Sequence, residues 1–154
     1  TLDEKHVYFG TSDTGLLLAL DKSSGNEVFR ADTRTWTYAT PLVKGRSVIV
    51  GNMAGELYVF DRQTGKQQWR FQTAEARADV NDIVDDQTGK LRSEKLFAPH
   101  IQTQAGVEMV KLLGGFAASP LWANDQLIAV TTTGQILVFS THPHKAQGGR
   151  KAKN

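Results

Sequence analysis

Short runs of alternating hydrophobic and polar residues recur along the chain, a pattern typical of β-strands that bury one face. The clearest example spans residues 57–71, where LYVF leads into the turn sequence DRQTGK and QQWRF follows. In such a turn Asp61 can accept backbone hydrogen bonds, Thr64 can add a weaker one, and Gly65 supplies the positive φ of the reversal. The pattern therefore predicts a strand, a tight turn and a second strand that carries Trp69.

The same hairpin pattern occurs more than once. A gapless alignment matches LYVFDRQTGKQQW with LLALDKSSGNEVF, which places Asp21 and Gly25 on Asp61 and Gly65. At an offset of 79 residues, ATPLVKGRSVIVGNMAGELYVF matches ASPLWANDQLIAVTTTGQILVF. Self-similarity at roughly 40 residues, carried by strands, indicates a propeller or another β array.

The core G-x-L-Y-x-F-D-x-x-T-G-K-x-x-W resembles the repeat of the PQQ-like, or quinoprotein-type, β-propeller superfamily. This resemblance implies an all-β fold in which each blade has four antiparallel strands running outward from a central axis. The first copy departs from the pattern at Ser24, Asn26 and Phe29. The third copy keeps its strands but lacks the Asp-Thr-Gly turn, since Ser140 and THPHK follow Phe139.

Counting strand patterns gives three, four and three strands, an incomplete arc of about three blades. We predict a partial blade at 1–35, a complete blade at 36–73, an insert at 74–114, a partial blade at 115–140 and a flexible basic tail at 141–154. Closed propellers need about four to eight blades. We expect either a C-terminal piece of a longer precursor or several copies that close a ring, and favour the first because Thr1 is not an initiator methionine.

The composition of the 154 residues is that of a globular protein, with 40% apolar and 22% charged residues. Cysteine is absent, so disulfides and thiolate metal sites are excluded. No apolar run approaches the ~18 residues of a membrane span. The net charge of +2 comes from the tail, which has four basic residues and no acidic one. We predict no nucleic-acid partner and no membrane span.

The insert at 74–114 is too long for an ordinary propeller connection. Its DDQTGKL sequence predicts another hairpin turn, with Asp86, Thr88 and Gly89, and its GVEMVKLL sequence favours a short helix. The topology of a four-stranded blade predicts that several segments share one face of the disc: the insert, residues 31–38, and the turns at 10–15, 52–55 and 131–134.

Loops on a rigid sheet array carry most binding sites, so the predicted site lies on this face. Exposed aromatic residues beside arginine are typical of protein-binding surfaces. The alternative is that Trp36 and Tyr38 only pack between neighbouring blades. The predicted partner-binding residues are Arg34, Trp36, Tyr38, Asn52 and Arg77. The predicted structural residues of the repeat are Asp21, Gly25, Asp61, Thr64, Gly65 and Trp69.

The resemblance also implies two kinds of function. One group of relatives comprises quinone-dependent dehydrogenases, which hold PQQ and a calcium or lanthanide ion over the channel. Another is a propeller lipoprotein of outer-membrane β-barrel assembly, which binds proteins. We favour a non-catalytic, periplasmic or otherwise extracytoplasmic scaffold in bacteria, with a protein partner and no cofactor. The alternatives are a fragment of a PQQ-dependent dehydrogenase with calcium, or a propeller joined to a separate upstream catalytic domain.

Overall fold

A computed structural model describes residues 1–140 and contains three antiparallel sheets of three, four and three strands. The predicted all-β propeller arc, with its strand numbers and order, is confirmed. The tail predicted to be flexible at 141–154 lies outside the described residues. Among residues 1–140, none of the helices has the length and apolar character needed to cross a membrane.

The first sheet buries one face of its strands. Its order is β1-β2-β3, with β1 at His6–Gly10, β2 at Leu16–Asp21 and β3 at Glu27–Asp32. Successive side chains of a strand point to opposite faces. The alternation in β3 therefore sends Phe29 and Ala31 into the core, where both are buried.

The central sheet is covered on both faces. Its order is β4-β5-β6-β7, with β4 at Leu42–Lys44, β5 at Ser47–Gly51, β6 at Glu56–Asp61 and β7 at Gln67–Gln72. Tyr58 and Phe60 of β6 pack into one hydrophobic cluster with residues of the first sheet. Leu57 packs into a second cluster with residues of the third sheet. Because successive side chains of β6 point to opposite faces, this one strand contacts both the first and the third sheet.

The third sheet has the order β10-β9-β8 and packs on the central sheet through one face. Its strands are β8 at Leu121–Ala123, β9 at Gln126–Val130 and β10 at Ile136–Ser140. Each pair in the sheet is antiparallel. The sheet thus reproduces the inner three strands of the central blade.

The insert forms a small helical layer on the face of the sheets that carries the turns at 10–15, 52–55 and 131–134. It contains α1 at Ala74–Ala78, α2 at Ser93–Leu96 and α3 at Thr103–Lys111. The helix predicted from GVEMVKLL is α3, and it begins three residues before that sequence. Apolar side chains of the insert form a separate core with residues of the central sheet's turn: Met53, Ala54, Ala76, Ile83, Leu96, Val110 and Leu113.

The turn predicted within DDQTGKL is present, but the residue assigned to cap it was wrong. Asp85, and not Asp86, accepts the turn's hydrogen bonds: its Oδ1 lies 3.1 Å from Gln87 N, 2.8 Å from Thr88 N and 2.9 Å from Thr88 Oγ1. The blade hairpins place their aspartate three residues before the threonine or serine. Only Asp85 has that spacing, so the insert repeats the hairpin turn of the blades.

Candidate functional site

Three aromatic rings lie next to each other on the loop side of the arc. Trp36 and Tyr38 come from the connection between β3 and β4, and Phe97 follows α2 of the insert. The Trp36 ring centroid lies 6.3 Å from that of Tyr38 and 6.0 Å from that of Phe97. We call these three residues the aromatic patch.

An alternating sequence makes the connection project its large side chains. In TRTWTY, the side chains of Thr33, Thr35 and Thr37 are buried, whereas the residues between and after them point outward. Thr37 Oγ1 donates to Thr35 O at 3.0 Å and also lies 2.8 Å from Thr33 Oγ1. Arg34, the first projecting residue, takes a positive φ of 69°. The buried threonine side chains therefore fix the bend from inside, and the larger side chains lie on its outer side.

The segments predicted to share one face are joined by hydrogen bonds. The pairs are Thr37 N with Thr11 O at 3.1 Å, Met53 N with Trp36 O at 2.8 Å, and Thr132 Oγ1 with Lys111 O at 2.6 Å. The first two bonds join the first turn, the β3–β4 connection and the central turn, and the third joins the third turn to the insert. Met53 and Ala54 of the central turn pack into the apolar core of the insert, so all five segments form one surface. We call this surface the loop face.

The two predicted aromatic residues have different roles on the loop face. Trp36 is half-buried and packs against the apolar core of the insert, including Leu96. Tyr38 is 55% exposed and Phe97 is 43% exposed. The alternative that both aromatics pack between blades does not describe Tyr38, which faces outward. Burial and the nearby Asp13 carboxylate raise the pKa of Tyr38, so its hydroxyl remains a neutral donor.

A cleft of about 440 Å³ lies beside the patch. Its wall combines the aromatic residues Trp36 and Phe97 with Leu91 of the insert, and charged groups of both signs line it: Arg34, Lys90 and Asp13. Aromatic residues together with arginine are enriched at protein-binding sites. The arrangement can accept an apolar side chain of a partner.

Arg34 is held in place from two sides. Its Nη1 lies 3.5 Å from Glu56 Oε1, and that oxygen also pairs with Arg70 Nη1 at 3.2 Å. From the other side the guanidinium lies against Gly89, where an added Cβ would come within 2.5 Å of Arg34 Nη1. Arg34 thus links the insert's hairpin turn to the buried carboxylate of the central blade.

Two predicted partner-binding residues lie away from the aromatic patch. Asn52 has no exposed surface: its Nδ2 donates to Thr33 O at 2.7 Å and to Glu56 Oε2 at 3.0 Å. Its side chain fastens the connection to the central blade from inside, so we leave it out of the proposed surface. Arg77 is exposed but donates to Gln72 O and lines a different, charged cleft.

The repeat hairpins have the geometry their sequence predicts. Asp61 Oδ1 accepts from Gln63 N, Thr64 N and Thr64 Oγ1, each at 3.0 Å. Gly65 has a φ of +68°, and an added Cβ would lie 2.5 Å from the ring of Phe29. The Asp21 carboxylate caps the first hairpin in the same way, through the backbone and side chains of Ser23 and Ser24, and Gly25 follows with φ +72°.

Sequence reasoning missed Phe97 and the cleft wall supplied by the insert. Phe97 lies in SEKLFAPH, where Leu96 is fully buried and the next residue turns outward at the end of α2. Leu96 and Phe97 are adjacent and both apolar, so the sequence does not indicate which of them is buried and which is exposed. Across the chain that the structure describes, no three His, Cys, Asp or Glu side chains lie close enough together to hold a metal ion.

The architecture defines the class of this protein: radially arranged antiparallel blades with repeated D-x-x-[ST]-G hairpins, a β-propeller of the PQQ type. The family described as outer membrane protein assembly factor BamB matches residues 1–99. The chain belongs to this family.

Comparisons with curated proteins find a second group of relatives. The dehydrogenase subunit of a quinone alcohol dehydrogenase from Gluconacetobacter polyoxogenes is 33% identical over 111 residues, which are 60% of this chain and 15% of that protein. The corresponding subunit from Komagataeibacter europaeus is 41% identical over 86 residues, 44% of this chain and 11% of that protein. The chain therefore spans only a small part of the length of these relatives.

Solved structures show the same fold at lower sequence identity. BamB from Moraxella catarrhalis matches 90% of this chain and 35% of its own, with a TM-score of 0.58 and 17% identity. A quinohemoprotein alcohol dehydrogenase from Pseudomonas putida matches 85% of this chain and 20% of its own, with a TM-score of 0.55 and 19% identity. These matches support the propeller fold alone.

Proposed function

We propose that this chain is a non-catalytic propeller module of the bacterial envelope that binds a protein partner through its aromatic patch. The observation that carries the proposal is the exposure of Tyr38 and Phe97 on a rigid base. Both rings rest on Trp36, which is itself packed into the insert. Exposed aromatic residues held in fixed positions bind at a low cost in conformational entropy, and interfaces are enriched in them.

The chemistry of the patch defines the partner's contact surface. An aromatic or aliphatic side chain would enter the cleft that Trp36 and Phe97 line, and acidic or carbonyl groups would meet Arg34 and Lys90 there. The extracytoplasmic setting rests on the family, whose described member is an outer membrane protein assembly factor. The contact chemistry of the partner and the extracytoplasmic setting are both proposals for this chain.

The test compares two substitutions at equally exposed side chains. Tyr38 is 55% exposed within the patch, and Leu112 is 57% exposed at the end of α3. A partner retained from an envelope extract is identified by mass spectrometry, purified and titrated against the wild type, Tyr38→Ala and Leu112→Ala. We expect Tyr38→Ala to weaken binding by about tenfold or more, as central interface aromatics do, and Leu112→Ala to bind like the wild type. Equal affinities for all three proteins would reject the patch.

A second candidate follows from the quinone alcohol dehydrogenase subunits, with which the chain shares up to 41% identity. Calcium takes about six to eight oxygen ligands, usually with several carboxylates. Within residues 1–140 the acidic side chains do not converge in this way. The residues described do not fit such a site, so we derive no catalytic step through it. If this candidate were correct, PQQ with calcium would raise the thermal midpoint of the chain by mass action; we expect an unchanged midpoint.

A further inference from the structure

The cleft beside the aromatic patch is lined by two separate parts of the chain. Its blade wall consists of residues 13–14 and 34–36, and its insert wall of residues 90–91, 93, 96 and 97. Trp36 belongs to the blade wall and Phe97 to the insert wall, and their ring centroids lie 6.0 Å apart. The shape of the cleft therefore depends on how α2, which is followed directly by Phe97, lies against the blades.

Helix α2 cannot hold this position by itself. It has four residues, Ser93–Leu96, and its N-cap residue, Arg92, makes no side-chain cap hydrogen bond. Isolated helices shorter than about 12 residues are marginal in water. Contacts with the rest of the insert must therefore fix α2, and the fully buried side chain of Leu96 makes some of them.

A direct backbone contact with α3 also supports α2. An added Cβ at Gly106 would lie 2.2 Å from Leu96 O and 3.0 Å from Leu96 C. Gly106 is buried inside α3, and in a helix alanine is more favourable than glycine. What the glycine supplies at this position is therefore close approach. The end of α2 rests on the backbone of α3 with no side chain between them.

The C-terminal end of α3 is attached to the blades. Thr73, which follows the last strand of the central sheet, donates from its Oγ1 to Leu113 O at 2.7 Å. Thr132 of the third sheet's turn donates from its Oγ1 to Lys111 O at 2.6 Å. Leu113 also packs into the apolar core of the insert. Helix α3 is thus the fixed partner of the pair, and a side chain added at Gly106 would displace α2.

We propose that Gly106 is a positioning residue for the aromatic patch: it lets α2 lie directly on α3 and thereby holds the Phe97 ring next to Trp36. The inference rests on the proposed function, because it concerns the same site, and it adds a buried residue that determines the shape of that site. With a Cβ at Gly106, Leu96 O would have to recede from 2.2 Å to at least 3.0 Å. Binding groups need to be held within about 0.5 Å of their productive geometry, so this displacement would disturb the cleft.

The first measurement compares the ring geometry of the wild type, Gly106→Ala and Gly45→Ala by NMR without any ligand. Gly45 is the control because its φ of +56° makes alanine strained there, while an added Cβ meets nothing within 4 Å. We expect the NOEs between the Trp36 indole and the Phe97 ring to weaken by about twofold or more in Gly106→Ala, since a packed interior transmits the displacement. In Gly45→Ala they should keep wild-type strength. A glycine with a merely structural role would lower the thermal midpoint and leave these NOEs unchanged.

The second measurement uses N-acetyl-L-phenylalanine, whose ring matches the apolar lining of the cleft and whose carboxylate can meet Arg34 or Lys90. Its affinity is read from the shift of the Trp36 indole N–H signal. We expect Gly106→Ala to bind it about fivefold or more weakly and Gly45→Ala to bind it within about twofold of the wild type. Failure of the wild type to bind would count against the proposed function, and the NOE comparison, which needs no ligand, would still decide the role of Gly106.

Unchanged NOEs between Trp36 and Phe97 in a folded Gly106→Ala would overturn the proposal. So would equal affinities of this variant and a binding-competent wild type, because α2 would then be held by another contact. Thermal unfolding shows whether each variant folds. If Gly106→Ala does not fold, the NOE from the Gly106 α-protons to the Leu96 α-proton in the wild type decides. Its absence would overturn the proposal, since the two helices would not be in backbone contact.

Discussion

The two interfaces between neighbouring sheets use equivalent strands but are covered to different extents. Between the first and central sheets, Phe29 is 7% exposed beneath the turn that contains Gly65. Between the central and third sheets, the corresponding Trp69 is 39% exposed. Within residues 1–140, the turn at Gly65 lies against the Phe29 ring, and the described part of the chain includes no corresponding turn next to Trp69. The hairpin turn of the central blade thus covers the outermost strand of the preceding blade.

The largest expected effect comes from removing the two corresponding aromatic rings. Phe29→Ala leaves a closed cavity beneath the Gly65 turn, and we expect it to lower the free energy of unfolding by about 3–5 kcal/mol. Trp69→Ala widens a groove that is already open, so the cavity contribution is absent and we expect about 2 kcal/mol. Urea denaturation of both variants measures the difference. An equal or larger loss for Trp69→Ala would show that the second interface is as well sealed as the first.

Alanine substitutions at two glycines distinguish the effect of backbone strain from the effect of the contact between the turn and Phe29. Gly25 and Gly65 both have positive φ, 72° and 68°. A Cβ at Gly25 meets nothing within 4 Å, whereas a Cβ at Gly65 would lie 2.5 Å from the Phe29 ring. We expect Gly25→Ala to cost about 1 kcal/mol from strain alone and Gly65→Ala about 3 kcal/mol, since overpacking adds to the strain.

Chemical denaturation of the two alanine variants gives this comparison directly. The Gly25 variant is the control because it shares the turn type and the sign of φ. If both variants lost the same stability, contact between the turn and Phe29 would not be what seals the first interface.

Much of the fold was predictable from local patterns. Alternation in LYVF and QQWRF placed the strands, and the aspartate-to-glycine spacing placed the turns. The same spacing also identifies Asp85 as the cap in the insert. These features depend on residues within one hairpin, which a single sequence displays.

The candidate site was less predictable because its contacts are distant in sequence. Asn52 sits in a turn, a position typical of exposed residues, yet its side chain bonds to Thr33 O, 19 positions away. The Glu56 carboxylate that holds Arg34 lies 22 positions from it. Phe97 joins Trp36 only because the insert folds back onto the blades. Within TRTWTY, the alternation of small and large residues coincides with the alternation of buried threonines and more exposed residues.

The smallest expected effect concerns the carboxylate of Asp61, which accepts the hydrogen bonds of the turn that contains Gly65. Hydrogen bonds from the Thr64 N–H, the Thr64 hydroxyl and the Gln63 N–H hold the pKa of Asp61 below its ordinary value of 3.8. A carboxyl whose pKa is lowered by folding contributes stability that is fully present above its unfolded pKa. That contribution is lost as the pH falls through the lower folded value. Acid should therefore loosen the turn over Phe29.

Urea midpoints between about pH 5 and pH 2 test this linkage in the wild type, Asp61→Asn and Asp21→Asn. Asparagine keeps an acceptor oxygen for the turn but does not titrate, so each variant should lose less stability on acidification than the wild type. The protection of the Gly65 amide against hydrogen exchange, relative to its intrinsic rate at each pH, should fall as acid opens the turn in the wild type and should fall less in Asp61→Asn; this amide donates to Asp61 O. In Asp21→Asn it should follow the wild type, because that substitution lies in the other hairpin. If Asp61→Asn and the wild type had the same pH dependence, the covering turn would not depend on this charge.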